Sequence, residues 1–129
     1  MIDFHLDAHS GVAPYLQIVG QVRQALLLGL LAEGDKLPTV KEVVARLAIN
    51  PNTVSKAYRE LEYLGLAAAK PGVGTFIVRS LGQASLADHG PLQEELRGWL
   101  AKARAAGLTE PGIEAMIQKT LRESIEEEK

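Results

Sequence analysis

Apolar residues repeat every three or four positions in five stretches of the chain, a period typical of amphipathic α-helices. The first helix is predicted over residues 14–31, where Pro14 suits the first turn because its missing N–H would have no partner there. We expect a polar turn at residues 33–35 to end it. The apolar face of this helix is formed by Leu16, Ile18, Val19, Val22, Ala25, Leu26 and Leu30.

Two shorter helices follow, and each has a recognisable start. Thr39 can cap the second helix, and Glu42 stands three residues later, as in a capping box. Asn50 can cap the third helix, with Pro51 just inside it and Gly65 placed to end it. The buried faces are predicted to contain Val43, Val44 and Leu47 in the second helix, and Val54, Ala57, Tyr58, Leu61 and Leu64 in the third.

The third helix precedes a segment with the pattern of a β-hairpin. Two β-like runs, residues 66–70 and 75–79, flank a Gly-rich turn at residues 71–74. A second β-like pattern lies at the N-terminus, over residues 1–13. Its apolar residues Ile2, Phe4 and Leu6 alternate with polar ones, which fits a short strand or an arm.

Two more helical patterns lie in residues 91–129, after a small, polar linker at residues 80–90. Gly107 is expected to end the first and Thr109 to cap the second. Two amphipathic helices of this size cannot form a core alone, so they must pack on the rest of the chain or on a second copy. We expect a two-fold dimer whose interface contains Leu96, Trp99, Leu100, Ile113, Met116, Ile117 and Leu121.

The amino-acid composition excludes several kinds of site and several classes of protein. The chain has 129 residues, 47% of them apolar and 23% charged, so it can form a core. It has no cysteine, which excludes disulfides, thiolate metal sites and cysteine nucleophiles. The longest apolar run, residues 25–32, is far too short to span a membrane, and no secretory signal is visible. We therefore expect a cytoplasmic protein.

An enzyme is not expected. No Ser/His/Asp set, carboxylate cluster or group of metal ligands stands out in the sequence. His5 and His9 are four residues apart, but they lie in a segment whose pattern is extended, where that spacing does not bring two imidazoles together. We predict no cofactor and no metal.

The net charge of −2 hides a split along the chain. Residues 36–79 carry seven basic and three acidic side chains, a net charge of +4, whereas residues 1–35 and 80–129 each carry −3. A basic middle between acidic ends predicts an anionic partner for the middle of the chain.

Three helices followed by a hairpin predict a winged helix-turn-helix over residues 1–79, because one helix fits the major groove of B-DNA while the preceding helix braces it. The fold class is thus mainly α with a small β-hairpin, followed by a two-helix dimerisation segment. The third helix turns a polar, basic face away from its apolar stripe, and the hairpin tip can reach the minor groove or the phosphates. The face of the third helix contains Asn52, Ser55, Lys56 and Arg59.

Residues 14–78 also resemble the DNA-binding domain of the GntR family of bacterial transcription regulators. The resemblance lies at residues 14–15 and 17–18 in the first helix, 34–39 before the second, 52–54 and 58–62 in the third, and 65–66 and 72–76 in the hairpin. Residues 50–54 and the short tail resemble the YtrA-like subfamily, whose appended segment is two helices used for dimerisation. The resemblance implies a dimeric repressor that binds double-stranded DNA at an inverted-repeat operator, and it suggests a transporter operon as the target.

The resemblance also implies which residues contact DNA. At the position of Lys41 the family usually has an arginine that contacts DNA. Val73 stands where the family often has a basic residue, and Pro51 removes a side-chain donor that many relatives have. With the basic face of the third helix, the predicted DNA-binding set is Thr39, Lys41, Asn50, Asn52, Thr53, Ser55, Lys56, Arg59, Lys70, Gly72, Val73 and Gly74.

Alternatives remain open at this stage. Thr39 and Asn50 can act as helix caps as well as DNA contacts, and Tyr58 fits the core better than the interface. Winged helices also bind proteins instead of nucleic acid, so a protein-interaction module is the competing function. An unidentified small-molecule effector is also compatible with the sequence, and the cleft between the dimer helices and the winged helix is the expected place for it.

Overall fold

The computed structural model describes residues 2–82 and 86–127. The chain divides into two compact units, Met1–Asp88 and His89–Lys129. The elements are α1 (Pro14–Leu27), α2 (Val40–Leu47), α3 (Pro51–Tyr63), β1 (Ala67–Lys70), β2 (Gly74–Ile77), a 3-10 helix (Leu86–His89), α4 (Gly90–Ala105) and α5 (Glu110–Glu127). The predicted fold class is confirmed: a winged helix-turn-helix is followed by two helices.

Helix α1 ends at Leu27, so the predicted end at residue 31 is wrong. Gly29 has a φ of +74°, and the N–H of Leu30 donates to the carbonyl oxygen of Ala25 at 2.8 Å. A glycine in this left-handed conformation closes the helix before the polar turn at residues 33–35 is reached. Leu30 is consequently 60% exposed and lies outside the apolar face to which it was assigned.

The predicted starts of α2 and α3 are confirmed. In the capping box of α2, Thr39 Oγ1 accepts from the Glu42 N–H at 3.1 Å, and the Glu42 carboxylate accepts from the Thr39 N–H at 3.3 Å. At α3, Asn50 Oδ1 accepts from the Asn52 N–H at 2.8 Å, and Pro51 occupies the first turn. These caps satisfy N–H groups that helix geometry leaves without a backbone partner.

The end of α3 is also as predicted. Gly65 has a φ of +75°, and the N–H of Leu66 donates to the carbonyl oxygen of Leu61 at 3.0 Å. The buried stripe is shorter than expected, because Leu64 is 37% exposed. The same holds for α1, where Leu16 is 40% exposed. Apolar spacing therefore located the buried face of each helix but overestimated its extent.

One hydrophobic core joins α1, α2, α3, the hairpin and the N-terminal segment. Burying apolar side chains against one another is the main favourable contribution to folding of this unit. Its most deeply buried large side chains are Ile18, Val22, Leu26, Leu37, Val54, Leu61 and Ile77.

The N-terminal segment is an arm and not a strand. Phe4 is buried in the core, and two glutamines of α1 hold the arm backbone. Gln21 Oε1 accepts from the His5 N–H at 3.0 Å, and Gln21 Nε2 donates to the His5 carbonyl oxygen at 2.6 Å. Gln17 binds the N–H and carbonyl oxygen of Asp7 in the same way, at 2.8 and 3.1 Å. Side-chain amides thus replace the neighbouring strand that the alternating pattern suggested.

The hairpin pairs β1 with β2 in an antiparallel register that sets Ala67 opposite Ile77 and Lys70 opposite Gly74. The chain before α2 adds to the other edge of β2, where Lys36 pairs with Phe76. The Leu37 N–H donates to the Thr75 carbonyl oxygen at 2.9 Å. The wing is therefore attached by backbone hydrogen bonds to the segment that leads into α2.

The second unit consists of α4 and α5. Gly107, with a φ of +95°, follows α4, and Thr109 Oγ1 accepts from the Gly112 N–H at 3.4 Å at the start of α5. Part of the predicted linker at residues 80–90, namely residues 83–85, lies outside the described residues, and its C-terminal part includes the 3-10 helix. Among the helices described, none is long and apolar enough to cross a membrane.

Candidate nucleic-acid interface

Helix α3 presents a polar, basic face to solvent. Asn52, Lys56 and Arg59 are exposed, while Thr53 and Ser55 are half-buried. The opposite stripe is fully buried and holds the helix against α1 and α2; it contains Val54, Ala57, Tyr58 and Leu61. Because one face is fixed in the core, the other is presented on a rigid helix, as docking into a DNA groove requires.

Asn50, at the start of α3, caps the helix with one atom of its side chain and has a second atom available as a donor. Asn50 is exposed, and its Oδ1 is already used in capping. A capping carbonyl oxygen leaves the amide nitrogen of the same side chain available as a donor. Thr39 differs, because its hydroxyl is engaged on both sides in the capping box of α2. Lys41, in the first turn of α2, is exposed.

Tyr58 belongs to the core and not to the exposed face. It is 5% exposed, and its hydroxyl donates to the carbonyl oxygen of Pro38 at 2.5 Å. Burial raises the pKa of the Tyr58 hydroxyl well above its usual range, and the Glu42 carboxylate raises it further. The hydroxyl is therefore held protonated as a donor, and it connects α3 to the residue just before the cap of α2.

Lys56 is held by an aromatic ring that the sequence analysis did not single out. Its Nζ lies 4.2 Å from the centroid of the Tyr15 ring, which comes from the first turn of α1. A cation over the face of an aromatic ring is attracted by the ring quadrupole. The arrangement limits the conformations of the lysine while leaving it exposed. No local signal reveals this pair, since it depends on how α1 packs against α3.

The wing tip combines glycines with an exposed apolar side chain. Gly72 and Gly74 have φ values of +76° and +143°, conformations that favour glycine, and Val73 between them is 58% exposed. Lys70 is exposed at the end of β1, and its Nζ lies 4.7 Å from the centroid of the Phe76 ring. The wing therefore has a cation, Lys70, beside its tip, whereas the tip residues themselves carry no charge.

One positive charge of the basic middle is offset by the arm. Arg46, in the last turn of α2, forms an exposed ion pair with Asp3. An exposed pair of this kind adds little stability, but it places a carboxylate beside the guanidinium. The sequence count of +4 over residues 36–79 therefore overstates the positive charge that this surface offers to a partner.

The predicted dimer residues lie in the second unit, and five of them share one open groove. Leu96, Met116 and Leu121 are 49%, 43% and 60% exposed. Ile113 is buried within the unit, and Leu100 is half-buried. The groove between α4 and α5 is lined by Leu96, Trp99, Met116, Ile117, Thr120, Leu121 and Ser124.

Comparison with known proteins identifies relatives of this chain. The family model of bacterial regulatory proteins, gntR family, matches residues 14–77. The HTH-type transcriptional repressor YtrA of Bacillus subtilis is 44% identical over 72 residues, which cover 56% of this chain and 55% of YtrA. The match thus spans about half the length of that relative.

Two further relatives are matched over most of their length. The uncharacterized HTH-type transcriptional regulator YhcF of Bacillus subtilis is 36% identical over 95 residues, which cover 74% of this chain and 78% of YhcF. Among solved structures, YtrA from Sulfolobus acidocaldarius, a GntR-family transcription factor, has a TM-score of 0.53 and 27% identity, with 95% of this chain and 97% of that chain covered. The similarity therefore includes the two C-terminal helices as well as the winged helix.

Proposed function

The chain belongs to the GntR family of bacterial regulatory proteins, and from this we propose that it is a dimeric repressor of an inverted-repeat operator. Its fold and its similarity to YtrA identify it as a winged helix-turn-helix transcription regulator. Helix α3 enters the major groove, and the wing contacts the flanking backbone. The activity belongs in the cytoplasm, where bacterial DNA lies.

The exposed face of α3 is the observation that carries this proposal. Lys56 and Arg59 can approach phosphates, whereas Asn52 carries an amide, which can pair with the N6 and N7 atoms of adenine. Lys41 on α2 is a further exposed cation for the backbone. A cation-bearing helix with an amide near its N-terminus can thus combine phosphate anchoring with readout of base edges.

Dimerisation is supported by the apolar groove of α4 and α5. A second copy would cover side chains such as Leu96 and Leu121, which are exposed in a single chain. A two-fold pair would present two α3 helices to half-sites about one turn of DNA apart, roughly 34–36 Å. Linked binding of two half-sites would raise affinity beyond that of a single unit.

The operator test is a footprint of the full chain on the promoters of its neighbouring genes, a transporter operon among them. Binding to the protected duplex is then measured at increasing salt. We expect Lys56→Ala and Lys41→Ala to weaken binding to all duplexes and to make the salt dependence shallower, by a slope of about 0.9 for each lost phosphate contact.

Asn52→Ala separates base readout from anchoring. It should reduce the preference for the operator over unrelated DNA while leaving the salt slope unchanged. Arg23→Ala is the matched control, because Arg23 is an exposed cation of α1 that belongs to neither α2, α3 nor the wing. A wild-type chain without salt-dependent DNA binding would refute the proposal and favour the protein-interaction module.

The dimer is tested by sedimentation at micromolar concentration. We expect wild type to be dimeric and Leu121→Glu to be monomeric, because a carboxylate in the groove would be buried without a partner. Leu92→Glu serves as control, since Leu92 is 62% exposed on α4 and does not line the groove. A monomeric wild type, or a Leu121→Glu variant that stays dimeric, contradicts this part of the proposal. Thermal shift screening of the dimer would show whether a small-molecule effector exists.

A further inference from the structure

The wing is part of a three-stranded arrangement. Residues 35–37 lie along the free edge of β2, with hydrogen bonds from the Leu37 N–H to the Thr75 carbonyl oxygen at 2.9 Å and from the Ile77 N–H to the Asp35 carbonyl oxygen at 2.8 Å. Lys36, between the two bonds, is paired directly with Phe76. A lysine that precedes α2 in the sequence thus becomes a residue of the wing.

The pairing places Lys36 on the outer side of this sheet. Residues directly opposite each other in antiparallel strands have side chains on the same face, and alternate residues along a strand share that face. Lys36 therefore shares a face with Phe76, and Lys70 and Gly74 lie on it as the next pair along the hairpin. The opposite face contains Ile77, which is buried in the core.

The side chain of Lys36 runs along this outer face towards the wing tip. A Cβ atom placed on Gly74 would lie 2.6 Å from Lys36 Cε, so the lysine stem fills the space above that glycine. From the other edge of the sheet, Lys70 Nζ lies over the Phe76 ring. Both lysines are exposed, and neither has an ion-pair partner among the described residues.

We propose that Lys36, together with Lys70, binds DNA phosphates through the outer wing face, defined as Lys36, Lys70, Gly74 and Phe76; this rests on the proposed function. The two lysines share this face, beside a turn whose tip residue, Val73, has no charge. The close approach to Gly74 restricts the stem of Lys36, and the cation–π contact with Phe76 restricts Lys70, so less conformational entropy is lost when a phosphate binds. Lys36 thus provides positive charge near the tip.

The orientation of this face relative to the recognition helix is fixed by the fold. Two residues after Lys36, the Pro38 carbonyl oxygen accepts the hydrogen bond from Tyr58 of α3. The segment that carries Lys36 is thus attached to β2 on one side and to α3 on the other. Phosphates beside the groove occupied by α3 are the anions that a wing in this position can reach.

The test uses Lys36→Met in the full chain, because methionine keeps an apolar stem against Gly74 and removes the charge. Binding to the footprinted operator and to an unrelated duplex is measured by fluorescence anisotropy over a salt series. We expect the affinity for both duplexes to fall by the same factor and the salt slope to decrease by about 0.9. Lys36→Arg should keep the wild-type affinity and slope, since it keeps the charge.

The controls separate this inference from the proposed function. Arg23→Ala removes one exposed positive charge from α1, outside the predicted DNA-binding set, and should leave the slope unchanged. If wild type binds DNA and Lys56→Ala weakens it, but Lys36→Met matches wild type in affinity and slope, the assignment of Lys36 is wrong and the proposed function stands. If wild type shows no salt-dependent binding, the proposed function fails. Urea unfolding of each variant verifies that the compared proteins are equally folded.

Discussion

The hydroxyl oxygen of Tyr58 lies 2.5 Å from the carbonyl oxygen of Pro38, in a buried contact between α3 and the residue before the cap of α2. The donor sits near the middle of the recognition helix, on its buried side. This hydrogen bond connects the two helices of the helix-turn-helix where Tyr58 is buried.

Tyr58→Phe should lower the free energy of unfolding by about 1 kcal/mol, because the ring still packs while the buried Pro38 carbonyl loses its donor. Urea denaturation at neutral pH measures this difference. Tyr63→Phe is the matched control, since Tyr63 is 85% exposed and the same atom is removed there at the surface. Equal losses in the two variants would show that the buried hydrogen bond contributes nothing.

The same hydroxyl predicts a pH dependence of stability. Burial, followed by the Glu42 carboxylate, raises the pKa of Tyr58 above the usual value of about 10. The unfolded chain releases this proton near pH 10, whereas the folded chain keeps it, so the contribution of Tyr58 is complete below about pH 10 and declines as the pH rises further. The difference in unfolding free energy between wild type and Tyr58→Phe should therefore shrink in alkaline solution. A difference that grows above that pH would contradict the assignment.

The Tyr15 ring should affect DNA binding through Lys56. Tyr15→Leu is expected to weaken binding by at most about fivefold, because the ring positions Lys56 before DNA binds and an exposed cation–π contact contributes no more than about 1 kcal/mol. Tyr15→Phe should bind as wild type, because the ring remains. In a Lys56→Ala background Tyr15→Leu should have no effect, since the two residues act as a pair. If Tyr15→Phe loses as much DNA-binding affinity as Tyr15→Leu, the tyrosine hydroxyl and not the ring is responsible.

Removal of the cap on α2 should cost stability. Thr39→Ala is expected to lower the unfolding free energy by about 1 kcal/mol, because the Glu42 N–H loses its side-chain acceptor. Thr39→Ser keeps a hydroxyl at the same position and should retain most of that stability. Thermal or urea unfolding distinguishes the two variants. A Thr39→Ala protein as stable as wild type would show that the capping box is dispensable.

Local signals in the sequence were enough to predict the starts and most ends of the helices. The capping residues Thr39 and Asn50 and the terminating Gly65 act through hydrogen bonds or backbone conformations a few residues away, so their role can be inferred without knowledge of the fold. The end of α1 was missed because the apolar spacing continues past Gly29 to Leu30, although Gly29 closes the helix. Leu30 was therefore assigned to the apolar face of α1, although it lies beyond the end of that helix.

The exposed face of α3 was predictable for the same reason, since helical periodicity decides which residues oppose a buried stripe. Contacts between elements were not. The pairs formed by Tyr15 with Lys56 and by Lys36 with Phe76 join residues that are 41 and 40 positions apart in the sequence. They arise when helix packs on helix and strand pairs with strand, so the local pattern of apolar and polar residues does not reveal them.

The segment of residues 34–39 has a consequence for efforts to change what this regulator recognises. It completes the wing sheet through Lys36, supplies the acceptor for Tyr58 through Pro38 and caps α2 through Thr39. A wing grafted from another regulator as residues 67–77 alone would meet an edge shaped for a different hairpin. Altered-specificity chimeras should therefore exchange this segment and the hairpin as one cassette, while the α3 face can be randomised separately.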